Sequence, residues 1–540
     1  MTFRHSSSIF EESLNKQHQQ DARYRITLEL GVFILLLFSF FMVGVNTLHY
    51  NTIFLDEAIN AVVGEDLLQG VYSRNALAFL FGSYLYPLLS ALLDNAGGVA
   101  ALRLASVVLM CLASVFVYLT TRIYFGNRTG LVAMMLFSFS GSILNLGQLA
   151  VYDSLALPFL SASLFLLVAA TKSERHQKIL FLASSVCVMF SIASKYIGLI
   201  YLPALFLTAL VLLGLKGMPL RQALFTLFIY FVLPIQQVLS FYAARYWPEL
   251  VQVFQGQGFS LVPRWLILKI IGQEIGMIVF LALAGTFLLG IAVTSGRNQN
   301  SQVLYWDDQS RLHWASLPRS YRAVLAFIFL LLLFSTWLAA PMHHWVIANG
   351  RSLWKNCAYS LIFLAPLAGY CIATVVRNLR SRTLTANMVG LLFLCASLLY
   401  FTDKSLDSNW SFHQSWPNTQ GVMNYLQDSG LNEKSRILAE GMDIYEYYFA
   451  FGVDDRAVWN SFWYMEYGGA SGQEGALNAI RDRALDFIII DDYYFPGIRE
   501  RVAPLLAEAG YVVGWQEEQE LRTGEKILLQ VFIPGTGRAP

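Results

Sequence analysis

Three carboxylic acids stand where apolar segments of the chain end. Asp56 and Glu57 follow a long apolar run at 26–48, and Asp153 stands between two further apolar runs. A carboxylate near the centre of a membrane-spanning helix costs about 2.5–3.5 kcal/mol, so acids at such positions are usually retained for pairing or chemistry. A carboxylate is also able to take a proton from a hydroxyl group as a general base. We therefore expect an outward-facing site built around these three acids.

The neighbouring acids Asp56 and Glu57 cannot both face the same site. On a helix that begins near residue 55, adjacent side chains diverge by about 100°, so only one of them enters a given cavity. A negative charge in the first turn is favoured by about 0.3–1 kcal/mol, which suits a general base that works as an anion. The alternative is that both acids only complement the helix dipole. For Asp153 the alternative is a cap for the following helix.

Basic residues on the same side of the membrane are candidates for holding a phosphate group. They are Arg103, Lys195, Arg351 and Lys355. Cations in outer segments bind lipid phosphates, although snorkelling to the headgroups explains any one of them as well.

A metal site is not predicted. His343 and His344 have the chemistry to ligate a metal together with Glu57 or Asp153, but their spacing is not diagnostic. No cofactor is expected, while a divalent metal stays open. The absence of a Walker loop and of a glycine-rich dinucleotide motif argues against nucleotide-driven chemistry, and no nucleic-acid partner is expected.

The composition requires a membrane around these residues. The chain has 540 residues, of which 56% are hydrophobic and 14% charged, whereas soluble domains carry about 25% charged residues. Apolar runs predict about 11 membrane-spanning helices, with 10 to 13 as the range. The runs lie at 26–48, 100–123, 130–150, 155–170, 179–194, 196–215, 222–244, 269–294, 322–340, 355–376 and 384–402.

The charges predict the orientation and the domains. Lys and Arg gather in loops on the side of the N-terminus, which favours a cytoplasmic segment 1–25, a membrane domain 26–402 and a long outer loop 49–99. Residues 403–540 hold 11 Lys and Arg against 21 Asp and Glu, which indicates a separate domain. An odd number of spans places this domain outside. We expect a multi-pass protein of the plasma (inner) membrane.

The outer segments carry their own secondary-structure signals. Apolar residues at helical spacing predict an amphipathic helix from about residue 55 to Gly70, lying on the outer membrane surface. In the acidic domain, strands at 435–439, 486–490 and 525–533 alternate with helices at 419–429, 475–484 and 496–509. This alternation predicts an α/β domain with a largely parallel sheet. Asp491 and Asp492 end one strand, where a solvated strand end is the simplest interpretation.

These features resemble the GT-C membrane glycosyltransferases, and within them the protein O-mannosyltransferases and lipid A aminoarabinose transferases of the glycosyltransferase family 39 type. The resemblance covers about residues 25–215 well and 320–400 loosely. It is carried by Leu55-Asp56-Glu57-Ala58 after the first span, Gly82 to Pro87 in the first loop, Ala101-Leu102-Arg103-Leu104, Tyr152-Asp153-Ser154-Leu155-Ala156 and Ser194-Lys195-Tyr196-Ile197-Gly198.

The resemblance implies a fold and a reaction. The fold would be a polytopic α-helical membrane protein of GT-C type with a C-terminal extracytoplasmic α/β domain. The activity would be inverting transfer of a sugar from a polyprenyl-phosphate-linked donor to a hydroxyl-bearing glycan, lipid or protein acceptor, with membrane lipid as a further partner. Asp56 would be the base and Asp153 a second acid, with Lys195, Arg351, Lys355 and Arg103 as phosphate candidates. The aminoarabinose transferases place a lysine just before the first-loop proline, where this chain has Tyr86.

Three other functions stay open at this point. A transporter or flippase would move a lipid-linked sugar without changing its bonds. An O-antigen-ligase-like enzyme would depend on His343, His344 and Arg351 instead of Asp56. A scaffold would use the outer α/β domain to recruit partners.

Overall fold

The computed structural model describes residues 26–71, 82–256, 262–294, 319–350, 352–379, 384–449 and 458–535. The chain forms two compact units. The first comprises Met1–Asn46, Val107–Leu144 and Asp153–Ser405, and the second comprises Thr47–Ser106, Asn145–Tyr152 and Leu406–Pro540.

Long apolar helices account for most of the described chain. Nine of the described helices are long and apolar enough to cross a membrane, or ten if the pair Asn127–Ser138 and Gly141–Gln148, bent by 62°, is one span. The nine are Ile26–Val45, Leu85–Phe125, Tyr152–Lys172, Gln177–Ser194, Tyr196–Leu215, Leu220–Pro248, Arg264–Ala292, Phe327–Ile347 and Leu353–Leu379. The multi-pass architecture predicted from composition is confirmed.

The difference from about 11 predicted spans has local causes. The apolar run at 130–150 is broken into the bent pair, so it is not one straight span. The last predicted span, 384–402, lies in the helix Leu384–Ser411, whose apolar described part is short. The helix Leu85–Phe125 has a break ahead of the apolar run at 100–123, where Gly97 and Gly98 leave helical geometry. Gly98 has φ 63°, a left-handed conformation that glycine adopts without strain.

The first unit is organised around the helix Leu353–Leu379, which is buried over most of its length. Lipid tails are as apolar as leucine, so close backbone packing replaces the hydrophobic effect between such helices. Glycines permit that approach. A Cβ atom at Gly285 would lie 2.0 Å from the carbonyl oxygen of Leu367, and one at Gly369 would lie 3.0 Å from that of Thr129. The helices Arg264–Thr294 and Asn127–Ser138 therefore pack directly on this central helix.

The second unit contains the first-loop helix. It runs over Leu55–Leu68, and Gly70 follows with φ 80°, so the predicted helix and its stop are confirmed. Gly64 lies against the backbone of Pro87, because a Cβ atom there would be 2.0 Å from the Pro87 carbonyl oxygen. The helix Leu55–Leu68 is thereby fixed to the start of the helix Leu85–Phe125 within this unit.

The rest of the second unit is an α/β fold. Its strands are β1 (Ile437–Ala439), β2 (Trp459–Ser461), β3 (Glu466–Tyr467), β4 (Ala470–Ser471), β5 (Phe487–Ile490), β6 (Tyr511–Glu520) and β7 (Lys526–Pro534). The helices of this region are Gln420–Asp428, Met442–Tyr448, Gly472–Arg481 and Ile498–Glu508. The main sheet has the order β2-β1-β5-β7-β6, and β3 pairs with β4 in a small hairpin.

The predicted alternation of strands and helices is confirmed, but the sheet is mixed. Strands β2, β1 and β5 are parallel, whereas β7 and β6 join them antiparallel. All four residues of β5 are buried, as in a central parallel strand. The expectation of a largely parallel sheet was wrong because β6 was missed. Most of its residues are exposed, and its second half, Gln516–Glu520, is entirely polar, so it lacks the continuous apolar run of a buried strand.

Candidate functional site

The first group of site residues lies at the start of the helix Leu55–Leu68, in the second unit. Glu57 is fully buried, and its carboxylate accepts four hydrogen bonds. Two come from the backbone, from Phe54 N at 2.9 Å and from Ala150 N at 2.7 Å. Two come from Arg103, from Nε at 3.1 Å and from Nη2 at 2.8 Å. A carboxylate satisfied in this way holds three chain segments together.

Arg103 completes this arrangement. Besides Glu57, its guanidinium donates to the carbonyl oxygens of Leu48 at 3.1 Å, Asn51 at 3.2 Å and Thr52 at 3.2 Å. These contacts use all five N–H groups of an arginine. The side chain is 1% exposed and lies over the ring of Tyr50. Arg103 thus fits the role of an internal clamp better than the predicted role of phosphate ligand.

Asp56 stands next to this clamp but differs in exposure. It is half-buried, whereas Glu57 is fully buried, so the predicted divergence of the two acids is observed. Its backbone oxygen accepts from Asn60 Nδ2 at 2.6 Å. Burial raises the pKa of Tyr494 well above its ordinary value, and the charge of Asp491 and, to a smaller extent, that of Asp56 add to this rise. Asp56 therefore shares its surroundings with an aromatic residue of the C-terminal region, which sequence reasoning missed.

The second group lies in the first unit and is built around Asp153. This acid is in the first turn of the helix Tyr152–Lys172 and is fully buried. Lys195 Nζ lies 2.6 Å from its Oδ1 atom, and the Tyr359 hydroxyl donates to the same oxygen at 3.0 Å. The other oxygen, Oδ2, is buried and has no hydrogen-bond partner among the described residues. Asp153 and Lys195, predicted separately from the sequence, form one buried ion pair.

A chain of polar contacts extends this pair within the first unit. Lys195 Nζ also donates to Asn356 Oδ1 at 2.8 Å, and Asn356 Nδ2 lies 2.5 Å from His344 Nε2. The other ring nitrogen of His344 lies 2.7 Å from the carbonyl oxygen of Asn349. A carbonyl only accepts, so Nδ1 carries the proton and Nε2 accepts from Asn356. Both nitrogens of His344 are thereby engaged within the protein.

The other predicted residues differ in what the structure says of them. Lys355 is 2% exposed at the start of the helix Leu353–Leu379, with Nζ 5.6 Å from the ring centre of Trp354. His343 lies beside His344. Arg351 lies outside the described residues. Within the described ranges, no group of three or more His, Cys, Asp and Glu side chains is arranged to hold a metal ion.

Tyr359 and Asn356 complete the second group, and no local signal identified them. Both lie on the central helix in a segment that reads as an ordinary apolar span. Lys195 and Asn356 are separated by 161 positions, and Asp153 and Tyr359 by 206. Only the packing of the helices brings them together.

The comparisons with known proteins agree with this architecture. The family model for dolichyl-phosphate-mannose-protein mannosyltransferase matches residues 80–241. No curated protein matches the chain.

Solved structures match almost the whole chain. ArnT from Cupriavidus metallidurans bound to undecaprenyl phosphate has a TM-score of 0.51 at 13% identity, covering 93% of this chain and 98% of ArnT. Its apo form has a TM-score of 0.52 at 12% identity, covering 94% and 98%. The archaeal oligosaccharyltransferase AglB from Archaeoglobus fulgidus, in complex with an inhibitory peptide and a dolichol-phosphate, has a TM-score of 0.52 at 11% identity, covering 95% and 75%.

At such identities the structural matches show a shared fold. Together with the family match over residues 80–241, they confirm the resemblance to the GT-C membrane glycosyltransferases that the sequence predicts.

Proposed function

We propose that the protein transfers a sugar from a polyprenyl-phosphate-linked donor to an acceptor hydroxyl on the outer face of the plasma membrane. Two proteins of the same fold are described with undecaprenyl phosphate and with a dolichol-phosphate, which supports a lipid phosphate as the carrier. The acceptor class is a glycan, a lipid or a protein with a hydroxyl group.

The clamp between Glu57 and Arg103 is the main support for assigning Asp56 as the base. The ion pair with Arg103 occupies the carboxylate of Glu57, and it fixes the start of the helix that carries Asp56. Asp56 then takes the acceptor proton while the acceptor oxygen forms a bond to the anomeric carbon. The bond from that carbon to the phosphate oxygen breaks, and its electron pair leaves with the polyprenyl phosphate. Attack opposite to the leaving group inverts the anomeric centre.

Lys195, a cation of the first unit, is a candidate for holding the phosphate of the donor. Lys195 is held by Asp153 and Asn356, so its charge is fixed in place before the donor binds. Preorganised charge of this kind stabilises negative charge that develops in a transition state. Lys355 and Arg351 are further candidates for the same phosphate, and Asp153 orients Lys195.

The test is a transfer assay with the purified protein in liposomes. The donor probe is undecaprenyl-phosphate mannose, and the acceptor probes are octyl mannoside, lipid A and a Ser/Thr-rich peptide. We expect release of undecaprenyl phosphate together with a new glycoside from one of these acceptors. Asp56→Asn should reduce this rate by about 10²- to 10⁴-fold, the usual contribution of a general base. Asp66→Asn is the matched control, since it makes the same change on the same helix and should leave the rate unchanged.

The assay also separates the other functions. A flippase would move the donor across the bilayer without releasing undecaprenyl phosphate. A ligase-like enzyme would keep its rate in Asp56→Asn and lose it when His344 is replaced. Near-normal transfer by Asp56→Asn refutes the assignment of the base.

A further inference from the structure

Two acids of the C-terminal region are buried side by side. Glu440 follows β1 and Asp491 follows β5, and these strands are parallel neighbours with Ala439 opposite Ile489. Their exposures are 2% and 1%. The carboxyl ends of parallel strands are where open α/β sheets place their binding residues. The solvated strand end expected for Asp491 is therefore wrong, because this acid is enclosed.

Residues 491–495, which we call the acid-held loop, surround the two acids. Glu440 accepts hydrogen bonds from the backbone N–H groups of Asp491 at 2.8 Å, Asp492 at 2.6 Å and Phe495 at 2.8 Å. Asp491 Oδ1 accepts from the N–H groups of Tyr493 at 2.8 Å and Tyr494 at 3.2 Å. All five N–H groups of the loop thus bind a carboxyl oxygen, and the loop has a single shape.

Burial, and then the charge of Asp491, raises the pKa of Glu440, and burial also raises the pKa of Asp491. The side-chain hydrogen bond between them raises the pKa of Glu440 and lowers that of Asp491, which assigns the donor role to Glu440 and the acceptor role to Asp491. The titratable groups that act on the pair or feel its charge are Asp492, Tyr445, Tyr493 and Tyr494.

The loop sets Tyr494 against the start of the Asp56 helix. Its ring packs on an apolar cluster that includes Ile53 and Ala58, the latter two positions after Asp56. Gly441 makes room for the ring, because a Cβ atom there would lie 3.0 Å from it. The Tyr494 hydroxyl is buried without a hydrogen-bond partner among the described residues. Such a hydroxyl destabilises the fold unless something else satisfies it.

We infer that the Tyr494 hydroxyl binds the acceptor beside Asp56, and that Glu440 is the positioning residue that holds the acid-held loop in the shape this contact needs. The inference rests on the proposed transfer reaction and assigns part of its acceptor site to the C-terminal region. A hydroxyl-bearing acceptor has the donor and acceptor atoms to satisfy a tyrosine hydroxyl.

The hydroxyl is tested with a pair of tyrosine variants. Tyr494→Phe should raise the acceptor KM about 3- to 10-fold in the transfer assay, with the donor KM unchanged, since one hydrogen bond contributes about 0.5–1.5 kcal/mol. Tyr445→Phe is the matched control. Its hydroxyl is equally buried and unpartnered among the described residues, but the acids whose charge acts on it are Asp491 and Glu440, whereas Asp56 acts on Tyr494. An unchanged acceptor KM in Tyr494→Phe, or an equal change in both variants, overturns the acceptor contact.

The loop is tested without reference to activity. Hydrogen–deuterium exchange of the full-length protein should show faster exchange of residues 491–495 in Glu440→Ala. Glu440→Gln keeps an oxygen for the N–H groups of Asp491 and Asp492, so we expect it to restore most of the protection and of the acceptor KM. Unchanged exchange in Glu440→Ala refutes the positioning role even if transfer is observed. Faster exchange with no transfer by any variant refutes the proposed function, and with it the acceptor contact, while the loop role stands.

Discussion

Arg103 and Glu57 form a bidentate pair at the start of the first-loop helix, with Nε 3.1 Å from Oε1 and Nη2 2.8 Å from Oε2. Their exposures are 1% and 0%. The planar guanidinium matches a carboxylate in this geometry, and a lysine would not. Because the other three N–H groups of Arg103 bind carbonyl oxygens of residues 48–52, the pair connects that segment to the helix that carries Asp56.

The first prediction separates the two neighbouring acids. Glu57→Gln and Arg103→Met each leave a buried charge without its partner, which typically costs about 3–5 kcal/mol. We expect both variants to unfold at clearly lower temperature in detergent and to express poorly. Asp56→Asn should unfold like the wild type while losing transfer.

The control for this prediction is an ion pair on the surface. Arg128 and Glu29 lie 3.8 Å apart, with Arg128 66% exposed, and exposed pairs contribute little. Arg128→Met should leave the unfolding temperature nearly unchanged. If Arg103→Met and Arg128→Met behave alike, the clamp does not hold the helix.

These residues show which structural features can be predicted from the sequence and which cannot. The helix Leu55–Leu68 follows from local periodicity, and the position of Asp56 and Glu57 in its first turn follows from that helix. What Glu57 does is not local. Its partners Arg103 and Ala150 are 46 and 93 positions away. Long-range pairing depends on packing, which leaves no trace in spacing, so Arg103 was predicted to bind phosphate.

The same limit applies to the C-terminal region. Buried strands such as β5 are predictable because all their side chains are apolar, whereas β6 is mostly exposed and was missed. Asp491 looks like a solvated strand end because a second acid, Asp492, follows it directly. Its partner Glu440 follows a different strand, β1, 51 positions earlier. The pairing of β1 with β5 that joins them is a property of the sheet.

The second prediction concerns the ion pair of the first unit. Lys195→Met removes the positive charge beside the buried carboxylate of Asp153, for which the described hydrogen bonds then leave Tyr359 as donor. An unpaired buried charge is costly, so we expect strong destabilisation. The double variant Asp153→Asn with Lys195→Met removes both charges and should recover most of the unfolding temperature. Transfer should stay low in the double variant, because the charge that balances the phosphate is absent. Recovery of both stability and transfer would show that Lys195 serves only the fold.

The third prediction tests the packing of the central helix. Gly285→Ala places a Cβ atom 2.0 Å from the Leu367 carbonyl oxygen, so the helices Arg264–Thr294 and Leu353–Leu379 must separate. Backbone cannot yield as a flexible side chain does, and we expect a fall in unfolding temperature. Gly276→Ala on the same helix is the control, since nothing lies within 4 Å of its Cβ position. It should be neutral or slightly stabilising, because alanine favours a helix over glycine by about 1 kcal/mol. Equal effects of the two variants would contradict close packing at Gly285.

The fourth prediction is a pH dependence of stability that originates in Glu440. Burial and the neighbouring charge of Asp491 raise its native pKa, whereas in the unfolded chain a glutamate titrates at about 4.3. Between these two values the native protein binds more protons than the unfolded chain, so stability must fall as the pH rises. The slope from one such group is at most about 1.4 kcal/mol per pH unit. Unfolding of the full-length protein should therefore shift to lower temperature from pH 5 to pH 9.

Comparison with Glu440→Gln isolates this group from others that titrate over the same range. The amide carries no titrating proton, so the fall in stability with pH should be shallower in this variant. Glu518→Gln is the control, because Glu518 is 59% exposed and pairs only with the exposed Lys526 among the described salt bridges. It should keep the wild-type slope. If Glu440→Gln also keeps that slope, the proton is not held at Glu440, and the hydrogen bond that joins it to Asp491 has another origin.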